Sequence, residues 1–135
     1  YCDPITLYQA TLEKNPDCWV IHGNLGTHLA HQGDLPGAVR HYERAIQINP
    51  DYADAQSNLG YLLAQSGQLD KAMEHCRRAI QIKPDWPDPY YRVALVYINK
   101  GDMAKAAENL EKFIKLEPNT ERTAQAKNIL ATIKK

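Results

Sequence analysis

Residues 49–82 read NPDYADAQSNLGYLLAQSGQLDKAMEHCRRAIQI, and the chain writes this pattern three times in succession. Residues 15–48 read NPDCWVIHGNLGTHLAHQGDLPGAVRHYERAIQI, and residues 83–116 read KPDWPDPYYRVALVYINKGDMAKAAENLEKFIKL. Pro16, Pro50, Pro84 and Pro118 stand 34 residues apart, and so do Gly33, Gly67 and Gly101, and Ala38, Ala72 and Ala106. A fixed period of this length marks stacked supersecondary units, each burying its apolar face against the next.

Each unit divides into two helical stretches. In the second, Ala53 to Gln65 reads as a first helix with Gln56, Leu59, Gly60 and Leu63 on its inner face. Gly67 ends it, as a glycine past a helix end does. A second helix runs from about Leu69 to Ile82, with Ala72, Cys76, Ala79 and Ile80 on one face. Asp34 and Asp102 are good N-caps for this second helix in their units, and Gln68 is a poor one. Pro50, Pro84 and Pro118 stop each second helix, because proline lacks the N–H and disfavours helix in the residue before it. Small residues share columns: Gly26, Gly60 and Ala94 on the first helices, Ala38, Ala72 and Ala106 on the second. Larger side chains there would push crossing helices apart. Leu25, Leu59 and Val93, then Leu29, Leu63 and Tyr97, fill the remaining volume.

The series Leu59-Gly60, Leu63, Gly67, Ala72, Cys76, Ala79, Pro84 resembles the tetratricopeptide repeat, and Trp19 and Tyr42 suit it. The resemblance covers about residues 4–118 and implies an all-α, open right-handed superhelix of antiparallel helix pairs. Helices are expected near 4–15, 18–31, 35–48, 52–65, 69–82, 87–99, 103–116 and 121–134, with no strand. The expected organisation is one array: a half repeat at 4–15, repeats at 17–50, 51–84 and 85–118, and a capping helix within 119–135. The third repeat departs most, with Val93-Ala94 in place of Leu-Gly and Phe113 in place of the last small alanine, so its packing should differ. In the final helix Ala126, Ile129, Leu130 and Ile133 form one apolar stripe, while Lys127 and Asn128 replace the Leu-Gly pair. Residues 4–15 align with a second helix alone. The expectation is an array cut from a longer protein, with an open apolar edge at Ile5, Leu7, Tyr8 and Leu12 prone to weak self-association. The opening segment YCDPITLYQATLEKNPDCW, followed by NLG, is also similar to the start of repeat arrays in large bacterial glycosyltransferase-like membrane proteins. That resemblance implies an extracytoplasmic module, so a cytoplasmic and a bacterial extracytoplasmic location both stay open.

Composition narrows the chemistry. Hydrophobic residues make up 44% of the 135, which excludes a disordered chain. Sixteen basic and sixteen acidic residues cancel, arguing against a nucleic-acid partner. No apolar run approaches a membrane span, so no membrane contact is expected of this chain. Cys2, Cys18 and Cys76 have no CxxC spacing and suggest neither a disulfide framework nor a zinc site. His28 and His31 share a helix face but lack an obvious third ligand, and surface histidines are the simpler reading. His75 and Cys76 are adjacent and point about 100° apart on a helix, which rules out a nucleophile–base pair. No phosphate loop, nucleophile elbow or metalloprotease motif is present. No cofactor and no enzymatic activity are expected.

The informative surface is the concave face built from the first helices, where the resemblance places peptides and partner proteins. Its columns are Val20, Asn24, Thr27 and His31, then Asp54, Asn58, Tyr61 and Gln65, then Asp88, Arg92, Leu95 and Asn99. Asn24, Thr27, His31, Asn58, Tyr61, Gln65, Arg92 and Asn99 are the candidate peptide-binding residues. Asn24 and Asn58 share a column, which resembles the asparagine ladder of O-GlcNAc transferase repeats. An amide both donates and accepts, so it can pair with any peptide group; equally, asparagine is tolerated on any solvated face. Arg92 has no evident packing role and suits a carboxylate or carbonyl. Tyr61 and Tyr91 would add flat apolar surface. Gly23 and Asn24 stand where the family's chaperone-tail clamp needs a lysine, which argues against that specificity. The leading reading is a scaffold that binds an extended peptide. The alternatives are a substrate-selecting module of a larger enzyme, such as a glycosyltransferase, and a self-assembly module joined through open ends.

Overall fold

Gly33, Gly67 and Gly101 take φ of +85°, +83° and +84°, the left-handed region where a Cβ is strained, and each ends a helix. The computed structural model describes residues 18–134, and among these there are seven helices and no strand. They are α1 (Trp19–His31), α2 (Leu35–Ile48), α3 (Ala53–Gln65), α4 (Leu69–Ile82), α5 (Asp88–Lys100), α6 (Met103–Leu116) and α7 (Glu121–Ile133). All lie within a residue of the boundaries read from the sequence. The helix expected at 4–15, with its apolar edge, lies outside the described residues.

The caps follow the side-chain chemistry. Asp34 accepts from the Gly37 N–H at 3.0 Å and Asp102 from the Lys105 N–H at 3.2 Å. Gln68, at the same position before α4, makes no side-chain cap. Thr120 caps α7 by accepting from the Thr123 N–H, and the Thr123 hydroxyl donates to the Glu117 carbonyl.

Helices α1 and α2, α3 and α4, and α5 and α6 pack as intimate pairs, joined in series through α2–α3, α4–α5 and α6–α7. Helix α3 also touches α5 directly. The result is an all-α solenoid of helix pairs. Its close crossings depend on the glycine column. A Cβ on Gly26 would lie 3.0 Å from the Tyr42 ring, and one on Gly60 only 2.5 Å from the Cys76 Sγ.

The core divides in two. One cluster gathers Ala38, Tyr42, Leu59, Ala72, Cys76 and Val93 among others; the second holds Tyr90, Ala94, Leu110, Phe113 and Ala126. Phe113 is the reason for the altered packing expected in the third repeat. It is fully buried where α2 and α4 carry Ala45 and Ala79, and Tyr91 packs on it with ring centroids 5.1 Å apart. Helix α7 lays Ile129, Leu130 and Ile133 on this second cluster and leaves Lys127 and Asn128 in solvent. Among the described residues no helix is long and apolar enough to cross a membrane.

Candidate functional site

The contact of α3 with α5 sets their outward columns side by side, and α1 continues the row. Thr27, His31, Asn58, Tyr61, Gln65 and Arg92 meet around one cavity of about 350 Å³. Asn99 lines an adjoining cavity of about 140 Å³ that shares Tyr61, Gln65 and Arg92. Asn24 lies half-buried on α1 and lines neither. Seven of the eight candidates are therefore brought together.

Arg92 corrects the sequence reading. Its Nη1 donates to the Ser57 Oγ at 2.9 Å and to the Asn58 Oδ1 at 3.1 Å, and its guanidinium carbon sits 4.9 Å from the Tyr61 ring centroid. The side chain thus has a packing role, tying α5 to α3. Burial disfavours its charged form and moves its pKa down, against the pull of Cys76 and Asp88. Among the described residues no carboxylate forms an ion pair with it; Asp88 instead holds Arg122 at 2.8 Å. The groove therefore contains a half-buried cation whose direct contacts are neutral oxygens and a ring face, with the Asp88 carboxylate acting on it beyond ion-pair distance.

The other groove residues are partly committed. The Asn58 carbonyl oxygen is taken by Arg92, and the Asn58 side chain also hydrogen-bonds the Tyr42 hydroxyl. Thr27 shares a 2.8 Å hydrogen bond with the Tyr42 hydroxyl, whose pKa burial raises while the Thr27 bond opposes. The Gln65 amide donates to the Tyr61 hydroxyl at 2.9 Å, and Tyr61 is 42% exposed, an open aromatic face on the groove wall. Tyr91 offers no such surface, because it packs against Phe113 with Arg122 over its ring. Cys76 lies beneath the groove. Its thiol is fully buried and pushed up to about 11 by desolvation, so it stays protonated and unreactive near neutrality.

Two groups escaped the sequence reading. Ser57 is fully buried and accepts from Arg92; the small residues Gly23 and Ser57 in one column were the available signal. The second is a polar contact repeated between first and second helices. His22 and His41 meet Nδ1 to Nδ1 at 3.1 Å, and 34 residues on the His75 Nδ1 meets the Gln56 Oε1 at 2.8 Å. Gln56 and Tyr90, also 34 apart, each donate to a proline carbonyl, of Pro50 and Pro84, at 3.1 and 2.7 Å. Among the described residues no group of three or more His, Cys, Asp or Glu could hold a metal ion.

A family model of the tetratricopeptide repeat matches residues 29–95 and 63–133. The chain belongs to the tetratricopeptide-repeat family. The array is similar to the crystal structure of MamA, at 25% identity over 96% of this chain and 74% of that one, with a TM-score of 0.86. It is also similar to YrrB, described as a TPR protein with an unusual peptide-binding site, at 25% identity over 92% of this chain and 64% of that one, TM-score 0.81. The first TPR of Spaghetti (RPAP3), solved with an HSP90 peptide, shares the fold at 19% identity, covering 86% of this chain and 90% of that one, TM-score 0.80. No curated protein matches the chain significantly.

Proposed function

We propose that this tetratricopeptide array is a non-enzymatic interaction module that holds an extended segment of a partner protein in the groove of α1, α3 and α5. The observation that carries the reading is Arg92, a half-buried guanidinium lining the groove that forms no ion pair with a carboxylate among the described residues. A ligand carboxylate there would supply the missing counter-charge, and the planar fork still has donors to offer it. Membership of the tetratricopeptide family and the likeness to the peptide-binding protein YrrB support a protein-interaction role. Asn58, which lines the groove, and Asn24, one repeat earlier in the same column, are the residues we assign to main-chain groups of the partner.

A peptide-library screen followed by calorimetry on Asn24→Ala, Asn58→Ala and Arg92→Ala tests this. The asparagine variants should weaken varied peptides alike, by about 1 kcal/mol each, and Arg92→Ala should weaken acidic peptides selectively, by roughly 1.5–3 kcal/mol. Arg92→Lys, which keeps the charge and loses the fork, should fall between. If the selected peptide binds all of these variants as tightly as the parent while the fold is intact, the groove is not the binding site.

A further inference from the structure

Another cavity lies between the second helices α2 and α4. It encloses about 410 Å³ over a floor of Leu59 and Leu63 from α3, between Val39 and Ile46 on one wall and the stem of Lys71 on the other. Glu43, Glu74 and His75 stand at its rim.

The array contains a second copy of this place, 34 residues on, between α4 and α6. There the residue equivalent to Leu63 is Tyr97, whose side chain reaches residues of both second helices. The Tyr97 hydroxyl accepts from the Arg77 Nη2 at 2.7 Å, and the Lys105 Nζ sits 5.7 Å from its ring centroid. The ring therefore lies between a residue of α4 and one of α6. In the α2–α4 groove Lys71 stands at the position of Lys105, but Leu63 replaces the tyrosine and Glu43 replaces Arg77. The aromatic is absent, its cationic neighbour is retained, and the group facing its hydroxyl has changed from a donor to an acceptor.

We infer that the α2–α4 groove is a docking site for a tyrosine side chain of a partner polypeptide, flanked in that partner by a basic residue. The ring would lie over Leu59 and Leu63 beside Lys71, as Tyr97 lies beside Lys105. Its hydroxyl would donate to the Glu43 carboxylate, reversing the polarity of the Arg77–Tyr97 bond. Charge selects the flanking residue. Glu43 and Glu74 are negative and Lys71 is the one cation lining the groove. Burial holds the His75 pKa below its ordinary value, with Glu74 and Glu43 pulling it up and Lys71 pushing it down, which keeps its ring predominantly neutral at pH 7. This site is independent of the α1–α3–α5 groove.

The test is titration of the isotope-labelled protein with the peptide Ac-Lys-Tyr-Lys-NH2, followed by amide chemical shifts. Shifts should concentrate at Val39, Glu43, Leu63 and Lys71. Ac-Lys-Phe-Lys-NH2 should bind roughly fivefold more weakly, the loss of one hydrogen bond. Ac-Glu-Tyr-Glu-NH2 should bind more weakly still. The double variant Leu63→Tyr, Glu43→Arg copies the α4–α6 groove and should keep its helical melt while losing at least tenfold in affinity. Arg92→Ala should bind the tyrosine peptide unchanged. Shifts confined to Thr27, Tyr61 and Arg92, equal binding by the double variant, or no binding of the tyrosine peptide would overturn the inference.

Discussion

At Gly60 a single hydrogen atom decides how closely α3 and α4 cross. A methyl there would meet the Cys76 Sγ at 2.5 Å and the Ala72 carbonyl oxygen at 3.0 Å, and the backbone atom cannot rotate away. Gly60→Ala should therefore cost about 1–3 kcal/mol, as overpacking of a tight core does. Adding Cys76→Ala removes the nearer obstacle, so urea melts of the double variant should show less than the sum of the single losses. The histidines give a second test at this scale. Burial lowers the pKa of His41, with His22 and Arg40 adding to the effect and Asp34 opposing it; burial also lowers that of His75. The unfolded chain then binds more protons than the folded one between the folded values and about 6.5, so stability should fall as pH drops through that window. Urea midpoints measured from pH 7.5 down to 5.5 should show the decline. His22→Gln, which gives α1 and α2 the Gln–His contact seen at Gln56 and His75, should make it shallower.

Helices here are stopped and started by local chemistry, and their stability should respond to it one at a time. Helix α4 starts without a side-chain cap at Gln68, where α2 and α6 have aspartates accepting at 3.0 and 3.2 Å. Gln68→Asp should stabilise the array by about 1 kcal/mol, visible as a higher urea midpoint. At the other end of the array Thr120→Ala removes the α7 cap and leaves the Thr123 N–H without its acceptor. The loss should again be about 1 kcal/mol and should appear as faster amide exchange within α7, while α3 and α4 stay protected.

Across the whole molecule each helix pair leans mainly on its neighbours, so a terminal element protects the one beneath it. If α7 is the cap its sequence suggests, deleting residues 121–135 would uncover the cluster of Tyr90, Leu110 and Phe113. The shortened chain should melt at lower temperature and associate at concentrations where the parent is monodisperse by light scattering. The sequence by itself determined the repeat, the helices and their ends, because these rest on interactions within a few residues: a glycine at positive φ, a proline after a helix, an aspartate three residues before an N–H. It also determined which columns are buried, since a 34-residue period repeats the same environment. Only the tertiary structure decided what the exposed columns do. Arg92 looked idle because Ser57, its acceptor, lies 35 residues away and one helix over. Tyr91 looked available because Phe113 and Arg122 come from two other helices. The difference between the α2–α4 and α4–α6 grooves rests on Leu63 and Tyr97, which read alike as core-filling residues. Which one leaves a space depends on how far its side chain reaches between helices from different pairs, a distance set by packing and not by period.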